Sequence, residues 1–299
     1  MEVRQLRYFV AVAEELSFTH AALRLFAAQS TVSAAVRALE EELEVSLFDR
    51  STRTVALSAA GAVFLPEAKA VIEAAERARA VVGEASRGLR GSLRIGTMTS
   101  ISALDLPRLV GAFRQRYPLV DIQLQVSGGG STGLAELVRS GRLDVAVVAL
   151  RPADVPDLEL RRFAAMPYVA ILPAGHRLAD RESVALTDLA EERFVESAPG
   201  FGIRIDLDRA FADLGRPRRV QVEITDVSMA VPYVRAISGV SIMPRFEVAD
   251  ASGVVIKPLT GLDMELVLSF ALRAGRRPSP AVSALLELSV NYIRSDAMF

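Results

Sequence analysis

Near the start of the chain, apolar residues recur at the three-and-four spacing of a helix, and the polar residues between them collect on one strip. Within residues 17–50, Ala21, Ala22 and Leu25 form a short apolar stripe that Ser17 is placed to cap. A break follows at 26–28. Val32, Val36, Leu39 and Leu43, at spacings of four, three and four, then predict a second helix with those residues turned to a core. Ser30, Ser33, Ala34 and Arg37 fall on the opposite face, with Gln29 and Thr31 beside them in the first turn. Hydroxyl, amide and guanidinium groups near the start of a helix that follows a tight turn suit major-groove reading and phosphate docking. On an isolated amphipathic helix such a face is more often merely solvated. The turn before it and the wing-like stretch after it, with Arg50 and Arg53, reverse that weighing.

Ser58 is placed to cap a long helix ending near Arg87. Gly61, Phe64, Ala68, Val71, Ala75, Ala78 and Val82 alternate at three and four, the seam of a short coiled coil whose simplest partner is a second copy of the chain. Residues 86–92, SRGLRGS, read as a hinge. From Leu93 the pattern changes to short apolar runs alternating with amphipathic helices. Strands are expected at 93–96, 121–126 and 143–150, with helices at 102–117 and 131–140 between them. A second set has strands at 168–172, 193–196, 219–224 and 240–243, with helices at 203–214 and 227–238. The run 265–272 and a helix over 281–295 close the chain. This is the βαβ rhythm of an α/β fold.

Composition bounds the function. The 299 residues are 51% hydrophobic and 24% charged, enough to bury more than one core. Zero cysteines exclude thiolate chemistry and disulfides and fit a reducing cytoplasm. No signal peptide or membrane span is legible, so no membrane partner is expected. Net charge argues against bulk attraction to DNA: residues 1–58 carry six arginines against eight acids, leaving −2. DNA binding would rest on placement, with Arg37 on the reading face and Arg50 and Arg53 at the wing, and its salt dependence would be shallow.

The stretches LRYFVAVAEELSFTHAALRL, QSTVSAAVRALEEEL, LFDRSTRTVALSAAG and SGVSIMP match the pattern of the LysR-type transcriptional regulators, and the chain resembles that family over nearly its whole length. The resemblance implies an N-terminal all-α winged helix-turn-helix over residues 1–58, a linker and dimerisation helix over 59–88, and an α/β effector-binding domain over 89–299. That domain would have two lobes like the type II periplasmic binding proteins, one of about 91–162 and 268–299 and the other of about 163–267. It further implies a bacterial, cytoplasmic homotetramer acting on promoter DNA. Three positions depart from the family pattern: Ala28 stands where a hydroxyl often caps the reading helix, and Ala34 and Ala35 cannot hydrogen-bond a base. DNA contact is therefore expected from Gln29, Ser30, Thr31, Ser33, Arg37, Arg50 and Arg53.

Small and hydroxyl residues sit where strands of the α/β part end, and in open α/β sheets ligands bind beyond those ends. If the family's two lobes hold, these turns converge on a cleft, with Thr99, Ser100, Ser127, Gly128, Ser131, Phe201, Gly202, Arg204 and Asp226 as candidates for a small anionic effector and Arg204 as the cation for its carboxylate. An arginine in a first helical turn is more often solvated, and a glycine run is often only a turn. No cofactor, metal site or catalytic residue is expected. His20 and His176 lack a nucleophile or metal ligand at useful spacing, and neither GxSxG nor a phosphate loop is present. A binding module whose N-terminal helices serve only assembly would leave the strip at 29–37 without a task. A hydrolase or transferase would leave residues 1–88 unexplained.

Overall fold

The computed structural model describes residues 1–51, 54–87, 89–99, 101–245, 252–261 and 265–294. They divide into two compact units, Met1–Leu89 and Arg90–Phe299.

In the first unit, α1 (Val3–Glu15), α2 (Phe18–Arg24) and α3 (Gln29–Leu43) precede a hairpin of β1 (Phe48–Ser51) and β2 (Thr54–Leu57) and a long helix, α4 (Ala59–Arg87). Ser17 caps α2 as its type suggests, its Oγ accepting the His20 N–H at 3.2 Å. Ser58 caps α4 through the Gly61 N–H at 3.0 Å. Leu6, Phe9 and Val12 of α1 meet Ala21 and Ala22 of α2, Val32, Val36 and Leu39 of α3, Leu47 ahead of the hairpin and Phe48 at the start of β1, all essentially solvent-free. Each full burial of such an aliphatic or aromatic side chain contributes about 1.5–3 kcal/mol. Glu40 fastens the end of α3 to the hairpin, its Oε1 accepting the Leu47 and Phe48 N–H groups at 2.8 and 3.2 Å.

The seam on α4 is divided in use. Phe64 packs against Phe9 with ring centroids 5.3 Å apart, Ala68 is fully buried in the same core, and Lys69 pairs with Glu14 at 2.8 Å. The front of that seam therefore serves the chain's own α1. Val71 and Ala78, farther along, are exposed. The Val82 side chain lies outside the description.

In the second unit, β3 (Arg90–Thr97), α5 (Leu106–Arg116), β4 (Leu119–Val126), α6 (Gly130–Arg139) and β5 (Val145–Val148) come first. Then follow β6 (Leu158–Pro173), β7 (Val184–Ala185), β8 (Arg193–Ser197), α7 (Gly202–Asp213), β9 (Arg219–Ile224), α8 (Ala230–Ile237), β10 (Ser241–Pro244), β11 (Val254–Thr260), β12 (Glu265–Arg273) and α9 (Pro280–Ser289). β3 lies between β4 and β5, parallel to both. β12 joins β5 to β6, antiparallel to each.

β6 is the strand that makes two lobes from one chain. Its residues up to Pro167 pair with β12, and from Tyr168 onward it pairs with β10 and β11. The first lobe thus holds β3, β4, β5 and the start of β6, and the second its end with β7 to β11. The hinge at 86–92 is partly strand, because Arg90, Gly91 and Ser92 already pair with β4. The helix expected to run to Ser295 leaves the α-helical path at Ser289, and Ser295 lies outside the described residues.

Candidate DNA-reading face and effector cleft

The reading face follows from how α3 is anchored. Val32, Val36 and Leu39 are at 0% exposure, which turns Gln29, Ser30, Thr31 and Arg37 outward, with Ser33 half-buried among them. No side chain caps α3: Ala28 has the extended backbone of a cap residue but nothing to offer the free N–H groups, and Ser30 does not take over. The turn into α3 passes through Phe26, which is left-handed at φ 51° and 99% exposed. Arg50 stands on β1 opposite Val55, its side chain outside the description, and Arg53 lies outside the described residues.

Beside this face a groove of about 710 Å³ separates α3 from the start of α1, lined by Ser30, Thr31, Ala34 and Ala35 on one side and Glu2, Arg4, Gln5 and Tyr8 on the other. The two alanines that cannot hydrogen-bond a base border this groove. The α1 residues were not anticipated, because their positions carry no periodic signal linking them to α3. Arg4 and Arg37 form no ion pair among the described residues. Arg24, by contrast, is held by Glu14 at 2.8 Å and Glu15 at 3.1 Å. Burial would raise the Glu14 carboxyl, yet Lys69 and Arg24 together hold it below its ordinary value.

The lobes of the second unit meet around a small cavity of about 50 Å³. Of the effector candidates, Thr99, Phe201 and Gly202 line it. Most of its wall is apolar, however: Met98 and Ile101 after β3, Ala149 after β5, Met166 on β6, Ile203 on α7, and Leu266 and Leu268 on β12, with the Ser102 and Thr225 hydroxyls. These residues come from strands and turns remote in sequence, and only strand register brings them together.

The remaining candidates have other work. Ser131 is buried and accepts the Ala149 N–H at 3.0 Å, pinning α6 to the end of β5. Ser127 accepts the Gly129 N–H at 3.2 Å in its own turn, Gly128 is exposed there, and Asp226 caps a 3₁₀ turn through the Ser228 N–H at 3.0 Å. Ser100 lies outside the described residues. The role expected of Arg204 is corrected by its partners. Its guanidinium donates to Glu223 at 2.8 Å and Asp208 at 3.0 Å and lies 3.7 Å from the fully buried Glu196. Arg218 donates to the same Glu196 at 2.7 Å. Arg204 therefore neutralises carboxylates of its own lobe and does not border the cavity.

Two family models cover nearly all of this. Residues 3–62 match the bacterial regulatory helix-turn-helix protein, lysR family, and residues 86–293 match the LysR substrate binding domain. The chain is a LysR-type transcriptional regulator. It is 39% identical over 245 residues to the HTH-type transcriptional regulator ShiR of Corynebacterium glutamicum, covering 81% of this chain and 82% of that one. It is 31% identical over 290 residues to the RuBisCO operon transcriptional regulator of Allochromatium vinosum, with 96% and 95% covered. A full-length OxyR variant of Pseudomonas aeruginosa superposes with a TM-score of 0.75 at 25% identity, over 99% of this chain and 96% of that one.

As a LysR-type regulator the chain binds DNA, responds to a small-molecule effector and self-associates. Among its described residues no helix is long and apolar enough to cross a membrane.

Proposed function

We propose that residues 1–58 read promoter DNA through Gln29, Ser30, Thr31, Ser33 and Arg37, with Arg50 and Arg53 at the wing on phosphate, and that residues 59–88 pair copies of the chain. Residues 89–299 sense the effector in the cavity between the lobes, where Thr99, Phe201 and Gly202 meet it. Two reading helices on a symmetric dimer address the halves of an imperfect palindrome, and a pair of dimers forms a tetramer. The protein works in the cytoplasm and catalyses no reaction.

One observation carries this reading: α3 buries Val32, Val36 and Leu39 completely, with Leu43 part-buried, while Gln29, Ser30, Thr31 and Arg37, the last unpaired among the described residues, face outward. An effector resting in this cavity is mostly apolar on its surface, with a hydrogen-bonding end at Thr99, Thr225 or the free N–H groups of Gly202 and Ile203. An acidic group on it is held by those donors and not by Arg204. Footprinting of the DNA next to this protein's own gene tests the reading. Protection of a dyad that Arg37→Ala weakens is the expected result, and a protein that protects no site there sinks it.

A further inference from the structure

We propose that the two lobes are fastened by a lock of close backbone contacts, hydrogen bonds and two ion pairs, and that an effector reaches the cavity only when this lock parts. The effector-bound arrangement is then the more open one. This rests on the cavity being the effector site.

The size of the cavity comes first. At about 50 Å³ it has room for a few water molecules, at about 10–15 Å³ each. Pockets for small molecules are about 300–1,000 Å³. A metabolite cannot enter without the walls separating, and the walls belong to different lobes: Met98 and Ala149 to the first, Phe201 and Thr225 to the second.

What resists separation is specific. The Thr132 N–H at the start of α6 donates to the Gly200 carbonyl across the cleft at 3.0 Å. The Thr99 hydroxyl donates to the Thr225 carbonyl at 3.1 Å. The backbones approach this closely because glycines stand at the contact. A Cβ on Gly202 would lie 1.9 Å from the Ala149 carbonyl oxygen, and one on Gly130 would lie 2.7 Å from the Phe201 ring. Gly200 adds a backbone at φ 89°, where a Cβ would meet the Gly129 oxygen at 2.6 Å.

At the edge of this seam Arg209 of α7 donates twice to Asp154, which follows β5 in the first lobe, one bond measuring 3.1 Å. Arg151, beside Asp154, reaches to within 3.7 Å of Asp206 on α7. Asp206 in turn accepts the Tyr168 hydroxyl at 2.9 Å, at the point where β6 changes lobes. Charge and hinge are thus joined at one place. Opening the cleft must break the Asp154–Arg209 pair and draw Arg151 away from a buried carboxylate. An effector shifts the equilibrium only by binding the open arrangement more tightly than the closed one.

The absence of cysteine permits a direct test on the full-length protein. Spin labels at Gln115→Cys on α5 and Asp213→Cys on α7 report the lobe separation by pulsed electron resonance, with labelled chain diluted into unlabelled chain. Arg209→Ala and Gly202→Ala are each expected to move the distribution to longer separation. Combining Asp154→Arg with Arg209→Asp should restore the parent distribution. In parallel, Leu268→Cys in the cavity wall should react with N-ethylmaleimide several-fold faster when Arg209→Ala is added, while Leu109→Cys in the first-lobe core stays protected. An unchanged separation together with an unchanged Leu268→Cys rate overturns the lock. Should Gly202→Ala fail to fold, Arg209→Ala and the charge swap still decide. Loss of footprinting by the parent protein would instead count against the regulator reading and leave the lobe measurement standing.

Discussion

The two units use the same residue types for opposite ends. In the N-terminal unit, hydroxyl and guanidinium groups on α3 are left on the surface by an apolar stripe that anchors the other side of the helix. In the C-terminal unit, the hydroxyl and charged groups that look most like ligand donors are consumed internally: Ser131 by a backbone N–H, Asp226 by its own turn, Arg204 by Glu223, Asp208 and Glu196. A polar residue at a strand end is thus a poor guide to a binding site where two lobes must also be held together. The direction of a polar residue opposite a buried helical stripe, by contrast, can be read from sequence, because helix geometry alone determines where it points.

The comparison is broken most forcefully at Arg218. Its side chain is 6% exposed and lies against the fully buried Glu196, with its guanidinium over the Phe211 ring at 4.9 Å. Arg218→Ala strips Glu196 of its closest counter-charge, and loss of one partner of a buried pair costs about 3–5 kcal/mol. The low end is expected, since Arg204 stays 3.7 Å away. Urea unfolding of the second unit measures it, and a loss below about 1 kcal/mol would show that this network is not structural. Arg37→Ala should do the reverse. An exposed arginine unpaired among the described residues leaves stability within about 0.5 kcal/mol, while operator affinity falls by about 1–3 kcal/mol in a titration at fixed salt. Equal operator affinity of parent and variant would remove Arg37 from the reading face.

Legibility follows the same division. The caps at Ser17 and Ser58, the break at 26–28 and the buried stripe of α3 could be read because each depends on neighbours within a few positions. The first half of β6 and all of β11 escaped notice. β6 changes pairing partners along its length, carries Arg161 and Arg162 in its first third and Pro167 at the changeover, so no single alternation runs through it. The cavity was harder still. Met166 and Leu266 face each other across the β6–β12 ladder, a juxtaposition set by register over a hundred residues of intervening chain. Thr99, Phe201 and Gly202 were legible only because they sit in turns beside the cleft.

Acid sharpens the contrast inside the second unit. Burial raises the Asp206 carboxyl above its ordinary value despite the Tyr168 hydroxyl and nearby Arg151, whereas the Arg209 hydrogen bonds hold Asp154 below its own. A carboxyl raised on folding costs stability while it is ionised, and the cost fades as pH falls through the raised value. Asp154 contributes stability above its unfolded value and loses it only as pH falls through the depressed one. Asp206→Asn, which keeps an acceptor for Tyr168, should therefore gain stability over the parent at neutral pH, and the gain should shrink on acidification. Unfolding curves from pH 7 downward test the sign, and a gain that does not vary with pH would remove the burial cost from Asp206.

The smallest expected effect sits at the entrance to the reading helix. Ala28 holds the extended backbone of an N-cap at φ −71° and ψ 140°, and its carbonyl accepts the Thr31 N–H at 3.0 Å, yet it has no side-chain acceptor for the N–H groups of Gln29 and Ser30. A serine there needs no change of backbone and can accept from the free N–H of Ser30, so Ala28→Ser should stabilise the first unit by about 0.5–1 kcal/mol. The cap competes with a second use of the same donors, because helix N-terminal N–H groups also bind phosphate. If α3 meets the DNA backbone through its first turn, the added hydroxyl raises the melting temperature and lowers operator affinity together. If α3 meets DNA only through side chains farther along, stability rises and affinity is untouched. Measuring both on one variant locates the phosphate contact relative to the start of the helix, and a serine that fails to stabilise would show that those N–H groups are already satisfied by solvent at no cost.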